Sequence, residues 1–195
     1  MNKKLFAITG GIGSGKSLVL SILKDAGFLA ISSDQIVSNL YKTHKVKALL
    51  KEMFPSAVSG EKRLRLNRAE ISKQVFFDKD KHQLLTSTIT PLVLEEILKK
   101  AKNTTKPLFV EVPLLFECKY QDYFDGVIVV MRDKKERIES VKLRSNLTEE
   151  QILARIKTQV DYDALDKTPY TVINNDGDIL ALKEKVLTVA KELIG

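Results

Sequence analysis

Gly10-Gly11-Ile12-Gly13-Ser14-Gly15-Lys16-Ser17 stands between an apolar run, Leu5-Phe6-Ala7-Ile8, and a helix-like stretch, Leu18-Val19-Leu20-Ser21-Ile22-Leu23. The spacing fits G-x-x-x-x-G-K-[ST], in which each residue type has a task. Glycines let successive backbone N–H groups converge on phosphate oxygens, the lysine neutralises the β/γ charge, and the hydroxyl can hold Mg²⁺. Gly11, Ile12, Gly13, Ser14, Gly15, Lys16 and Ser17 are therefore the expected cradle of a nucleoside triphosphate, with Ser17 on the metal side. A glycine-rich turn that merely joins a strand to a helix would leave Lys16 and Ser17 without a reason.

Outward from this loop, short apolar runs recur at residues 5–9, 28–31, 108–112, 127–131 and 171–173, with helical segments between them. They read as five buried parallel strands. Strands alternating with helices predict a three-layer α/β/α domain with right-handed crossovers and a ligand site at the carboxyl ends of the strands. Residues 35–105 are too many for one crossover helix, so several helices are expected there. One is expected to begin at Pro91, with Thr90 as its N-cap and Leu92, Leu94, Ile97 and Leu98 behind it. After the fourth strand the pattern predicts a polar helix near residues 134–144, a break at Ser145-Asn146, and a second helix from Thr148, where Thr148 and Gln151 form a capping-box pair. Arg137, Val141 and Arg144 fall at i, i+4 and i+7, so two guanidinium groups are expected on one face of a charged hairpin able to close over a triphosphate. A solvent-exposed pair of helices is the plainer account of the same charges.

The chain has 195 residues, 29% of them charged, and no repeat, low-complexity tract or Ser/Gly/Pro-rich linker, which suits a single α/β domain. One cysteine, Cys118, excludes an intramolecular disulfide, and with only two histidines it leaves little for zinc. No apolar run approaches the roughly 20 residues that span a bilayer. The chain also enters a strand where a signal peptide would stand, so a cytoplasmic protein without a membrane partner is expected. The net charge of +7 suits either nucleic acid or a polyanionic small substrate. Basic residues gather in Lys62-Arg63-Leu64-Arg65-Leu66-Asn67-Arg68 and between residues 132 and 157. The second region interleaves acids and lacks aromatic stacking residues, which argues against nucleic acid.

Other candidates lie just past the predicted strands. Asp34, in Ile31-Ser32-Ser33-Asp34, is placed to orient an acceptor hydroxyl and take its proton, although Ser33 or Asp34 would serve equally as the cap of the helix that follows. Glu111 and Glu117 flank Val112-Pro113-Leu114-Leu115-Phe116 and suit Mg²⁺-bound water or an acceptor, while an acidic loop accounts for Glu117 as well. Asn174-Asn175-Asp176-Gly177 has ordinary turn chemistry at a strand end where a base can lie.

Thr9 to Ser17, Ser33-Asp34-Gln35-Ile36, Val112-Pro113-Leu114-Leu115-Phe116-Glu117, Arg144-Ser145-Asn146-Leu147-Thr148 with Arg155-Ile156-Lys157-Thr158-Gln159, and Val172-Ile173-Asn174-Asn175 together resemble the dephospho-coenzyme A kinase family, nearly end to end. The resemblance implies a P-loop kinase that uses ATP and Mg²⁺ to phosphorylate the ribose 3′-hydroxyl of dephospho-coenzyme A. It implies one domain over residues 1–195: a five-stranded parallel core (1–34, 106–131 and 169–195), a helical acceptor-binding insertion (about 35–105) and a helical lid (about 132–168). By the same resemblance Asp34 is the base, Lys16 and Ser17 are the phosphate and metal groups, and Arg144 and Arg155 are lid arginines. Arg144 is catalytic with Asp34 and Lys16, and Asn175 lies near adenine. A monomer or weak homo-oligomer is expected.

The chain departs from the family pattern at several points. Ser32-Ser33-Asp34 stands where the family usually reads D-A-D, Thr90-Pro91 where it reads His-Pro, and Ser140 where arginine is frequent. Glu111 replaces a common Asp, and Tyr170 another. Arg137, one turn before Ser140, offers a substitute charge. Two other readings are a P-loop kinase of another small acceptor, such as a nucleotide, and a catalytically weakened nucleotide-binding regulatory protein. A GTPase is disfavoured because the chain has no N-K-x-D motif.

Overall fold

Leu5–Thr9 forms β1, five consecutive buried residues, as a strand covered on both faces requires. In the computed structural model, which describes residues 4–145 and 147–195, β1 is the middle of a five-stranded parallel sheet. The sheet also holds β2 (Leu29–Ser32), β5 (Leu108–Glu111), β6 (Gly126–Met131) and β7 (Thr171–Asn174), in the order β2-β5-β1-β6-β7. These are the five predicted strands. The register sets Ile8 and Ser32 on either side of Glu111, so the acid stands at the carboxyl edge.

Helices flank the sheet. Val19, Leu20, Ile22 and Leu23 of α1 (Lys16–Asp25) and Leu182, Val186, Val189 and Ala190 of α8 (Ile179–Ile194) pack with Phe6, Ile8, Phe109, Ile128, Val130 and Ile173. Phe6 and Phe109 stack with ring centres 5.1 Å apart. α1 ends in a Schellman turn: Phe28 N–H donates to the Leu23 carbonyl at 3.0 Å and Gly27 N–H to the Lys24 carbonyl at 2.9 Å. Gly27 takes the required left-handed conformation, φ 83°, and the turn sets Phe28 edge-on to Phe109.

The predicted helical hairpin is α6 (Lys134–Arg144) and α7 (Glu149–Lys157). Asp133 caps α6 by accepting from the Lys135 and Glu136 N–H groups, which holds its carboxyl below the usual range. The Thr148/Gln151 capping box is present with both of its bonds. Asn146, half of the predicted break, lies outside the described residues. Ile138, Val141 and Ile152 make a small core of their own, and Ile12 of the phosphate loop packs against it with Leu147, Leu153 and Ile156.

Residues 33–99 form a second compact unit. It contains α2 (Ser33–Leu40), α3 (His44–Met53), the 3₁₀ turn Pro55–Ala57, an antiparallel ribbon of β3 (Val58–Ser59) and β4 (Arg65–Leu66), α4 (Arg68–Phe77) and most of α5 (Lys79–Lys102). Several helices were expected here, but the ribbon was not, since two-residue strands leave almost no periodic trace. The N-cap expected at Thr90 is a correction. α5 runs unbroken through Pro91, and the Thr90 hydroxyl donates to the Thr86 carbonyl at 2.8 Å, one turn back. Ile89, Val93, Leu94, Ile97 and Ala101 are buried on both sides of the proline, and this packing overrides the local preference for a helix start.

Among the described residues no helix is long and apolar enough to cross a membrane. Pro91 itself is exposed, so its side chain contributes little packing while it withholds an N–H from the helix. Pro91→Ala is expected to raise stability by about 1 kcal/mol or more, read from urea unfolding.

Candidate active site

The loop between β1 and α1 is built by close backbone approach. Gly13 has φ 79°, and a methyl group there would come 2.5 Å from the Arg137 carbonyl oxygen. Gly15 has φ 98°, and a methyl would strike the Asn175 amide, which donates to the Ser14 carbonyl at 2.9 Å. Asn175 is itself fixed by its N–H, which donates to the Met131 carbonyl at 2.8 Å and so continues the pairing of β7 with β6.

The chemistry-bearing side chains lie inside this frame. Lys16 is buried, its ammonium donating to the Gly10 and Gly11 carbonyls at 2.8 and 3.0 Å. Ser17 Oγ donates to Glu111 Oε1 at 2.9 Å, which joins the last residue of the loop motif to the end of β5. Ser14 Oγ is buried and has no hydrogen-bond partner among the described residues.

The segment after α7 comes back onto the loop. Gln159 Oε1 accepts from the Ile12 N–H at 2.7 Å, and Tyr162 shares a 3.1 Å hydrogen bond with Thr9 Oγ1. Glu117 Oε1 accepts from the Val160 N–H at 3.0 Å, while its buried Oε2 has no partner among the described residues. Phe116 packs against Tyr162 and Tyr170, ring centres 6.0 and 5.1 Å away, so Tyr170 extends an aromatic cluster where the family pattern carries an acid. Between α6, this segment and Gly11 lies a cavity of about 350 Å³, whose walls include Lys134, Arg137, Lys157, Gln159 and Tyr162.

The arginines separate. Arg137 is only 5% exposed, its Nε is buried without a partner among the described residues, and a methyl on Gly11 would come 2.7 Å from its Nη1. Val141 shares that buried face, as its spacing predicts. Arg144 does not: it is exposed, because it is the last residue of α6, beyond the cluster around Ile138. Arg155, on α7, is exposed too. Asp34, which belongs to the second unit, lies in the first turn of α2 rather than at its cap, and there a carboxylate complements the positive helix end.

Gln159 entered the sequence reading only as part of the lid motif, and Tyr162 carried no local signal at all. Burial is the main reason the Tyr162 phenol is pushed up to about 12, with Glu117 adding to it and the Thr9 bond opposing it. The neutral phenol is thus favoured in the folded state. Its contribution is complete below pH 10 and is lost as pH rises from 10 through 12. Between those values the wild type should lose stability faster than Tyr162→Phe, by a difference on the order of 2 kcal/mol in denaturant titrations at stepped pH.

The site can be set beside known proteins. The family model described as CoaE, dephospho-CoA kinase, matches residues 4–181. The dephospho-CoA kinase of Streptococcus agalactiae serotype III (strain NEM316) is 31% identical over 195 residues, covering 97% of this chain and 99% of its own. The crystal structure of TT1252 from Thermus thermophilus has a TM-score of 0.83 at 31% identity over 100% of both chains. Dephospho-CoA kinase from Campylobacter jejuni, 24% identical over 97% of this chain and 96% of its own, shares the fold with a TM-score of 0.69. The match takes in the phosphate loop, the strand ends and the helical hairpin in one colinear stretch, and the chain belongs to the dephospho-CoA kinase family.

Proposed function

We propose that this chain catalyses transfer of the γ-phosphoryl group of ATP to the ribose 3′-hydroxyl of dephospho-CoA, giving coenzyme A and ADP. What carries the reading is a phosphate loop met by Lys16, Arg137 and Gln159, in a chain that matches the family over residues 4–181. The acceptor oxygen attacks the γ-phosphorus, the bond to the β,γ-bridging oxygen breaks, and the hydroxyl proton passes to Asp34. Backbone N–H groups of the loop other than those of Ile12 and Ser14, which Gln159 and the Gly11 carbonyl already hold, bind phosphate oxygens, and Lys16 balances the charge that builds on the transferring group. Arg137 adds a guanidinium within the cavity, and Arg144 and Arg155 serve from the lid. Asn175 holds the loop through Ser14 and lies toward the adenine.

Ser17 Oγ and the Glu111 carboxylate, 2.9 Å apart, are hard oxygen donors suited to Mg²⁺. Among the described residues no group of three or more His, Cys, Asp or Glu side chains could hold a metal by itself, which agrees with an ion bound mainly through phosphate and water. Ser17 and Glu111 would hold the ion, which would offset the negative charge of the phosphates. The lid segment over the loop excludes water, which favours the alcohol as acceptor. We place the enzyme in the cytoplasm.

Incubated with Mg·ATP and dephospho-CoA, adenosine, AMP or shikimate, the protein should phosphorylate dephospho-CoA alone, with the product identified by mass. Phosphorylation of AMP instead would overturn the reading. In the same assay Lys16→Ala should lower kcat by roughly 10²-fold or more while melting stays near that of the wild type.

Asp34→Asn keeps the size of the side chain but removes the proton acceptor. A fall in kcat of roughly 10²-fold with an unchanged melting temperature is expected. Near-normal kcat would exclude Asp34 as the essential base.

A further inference from the structure

The second compact unit has a cavity of its own, about 340 Å³, within the size range of small-molecule sites. Its walls are Ser38, Tyr41, Lys42, Lys47, Leu66 and Arg68. Three of the six are cations and none is an acid. None of the three cations takes part in an ion pair among the described residues. Like charges gathered around one space repel, and an anion within it turns that repulsion into attraction.

Each cation is oriented yet keeps donors in reserve. Arg68 Nη2 donates to the Ser38 carbonyl at 3.0 Å and to Ser38 Oγ at 3.3 Å, and the guanidinium lies 5.0 Å from the centre of the Tyr41 ring. This satisfies a carbonyl of the last turn of α2 and leaves Nε and Nη1 for a ligand. Lys47 gives one hydrogen bond to the Leu64 carbonyl, 3.1 Å, and Lys42 one to Asn39 Oδ1, 3.4 Å, out of three donors each. Burial raises the Tyr41 phenol above its usual value despite the opposing Arg68 charge, so it brings no negative charge to the cavity.

The cavity also lies in line with Asp34. Asp34, Ser38 and Tyr41 are spaced i, i+4 and i+7, and the Tyr41 N–H donates to the Val37 carbonyl at 3.0 Å, so the helical pattern continues through Tyr41. The three residues form one stripe, with Ser38 about 6 Å along the axis from Asp34. In dephospho-CoA the 3′-hydroxyl and the 5′-diphosphate hang from the same ribose ring, so a group that meets one fixes the region of the other.

We propose that this cavity binds the diphosphate of the acceptor, with Arg68 as a fork and Lys47 and Lys42 as point charges on its oxygens. It thereby sets the ribose along α2, hydroxyl toward Asp34. The assignment rests on dephospho-CoA being the acceptor. It makes Lys42, Lys47 and Arg68 determinants of acceptor affinity rather than of phosphoryl transfer.

The test is steady-state kinetics with dephospho-CoA varied at saturating Mg·ATP, on the wild type, Arg68→Gln, Arg68→Lys and the double variant Lys42→Gln/Lys47→Gln. KM for dephospho-CoA should rise about tenfold or more in Arg68→Gln and in the double variant, with kcat and KM for ATP within about twofold of the wild type. Arg68→Lys should recover part of the loss. Because Arg68 also caps α2, the double variant decides the matter if Arg68→Gln lowers the melting temperature. An unchanged KM for dephospho-CoA in the double variant, or a fall in kcat with KM unchanged, would overturn the cavity assignment and leave the acceptor reading standing. A wild type that does not phosphorylate dephospho-CoA would overturn both.

Discussion

At Gly10, Gly13 and Gly15 of the phosphate loop a side chain would be strained and would strike a neighbour, at Gly11 it would have to displace the Arg137 guanidinium, and the site is assembled around that crowding. A methyl on Gly10 would run into the Val130 carbonyl, on Gly11 into the Arg137 guanidinium, on Gly13 into the Arg137 carbonyl, and on Gly15 into the Asn175 amide. The loop is therefore pressed at once against the end of β6, the flank of α6 and the residue after β7. Backbone N–H groups can be aimed at a phosphate only if the backbone itself does not move, and here three separate elements hold it. Ile12 adds a fourth hold by joining the apolar core of the α6–α7 hairpin, and its N–H donates to Gln159 just beyond α7.

The same crowding divides the charged residues by role. Buried beside the loop are Lys16 and Arg137: the desolvation of Lys16 is offset by the fixed Gly10 and Gly11 carbonyls, while the Arg137 Nε has no such partner among the described residues. The ion pairs that the structure does contain, such as Arg132–Glu136 and Lys142–Glu149, lie toward the surface and contribute little to stability. Positive charge in this chain is thus gathered beside the phosphate loop and, more openly, around Arg68, and is otherwise interleaved with acids, which suits polyanionic small molecules better than an extended nucleic-acid backbone.

What could be read from the sequence was what local chemistry decides. Continuous apolar runs announced the five strands, and Thr148 with Gln151 announced the start of α7. What escaped depends on partners far along the chain. Pro91 has the local look of a helix start, yet Ile89 and Val93 are buried on both sides of it and carry the helix through. Arg137 and Arg144 are equivalent by spacing, but only Arg137 lies over the loop, because α6 ends at the other. The β3–β4 ribbon left one faint trace, the alternation Arg63-Leu64-Arg65-Leu66 in which Leu64 is buried. Tyr162 reaches Thr9 across 153 residues, a relation no window of sequence contains.

The strand order has one consequence for how this enzyme can change. β2 and β5 are neighbours, paired from Leu29 opposite Leu108 to Ser32 opposite Glu111, although the whole of residues 33–99 is threaded between them. Once two strands are zipped at both ends of such an excursion, its length enters folding only through loop-closure entropy, about 0.6 kcal/mol for each doubling. Residues can be gained or lost in the excursion with little effect on the sheet that carries the phosphate loop. Insertions and deletions there can reshape that unit without shifting the register of β2 on β5.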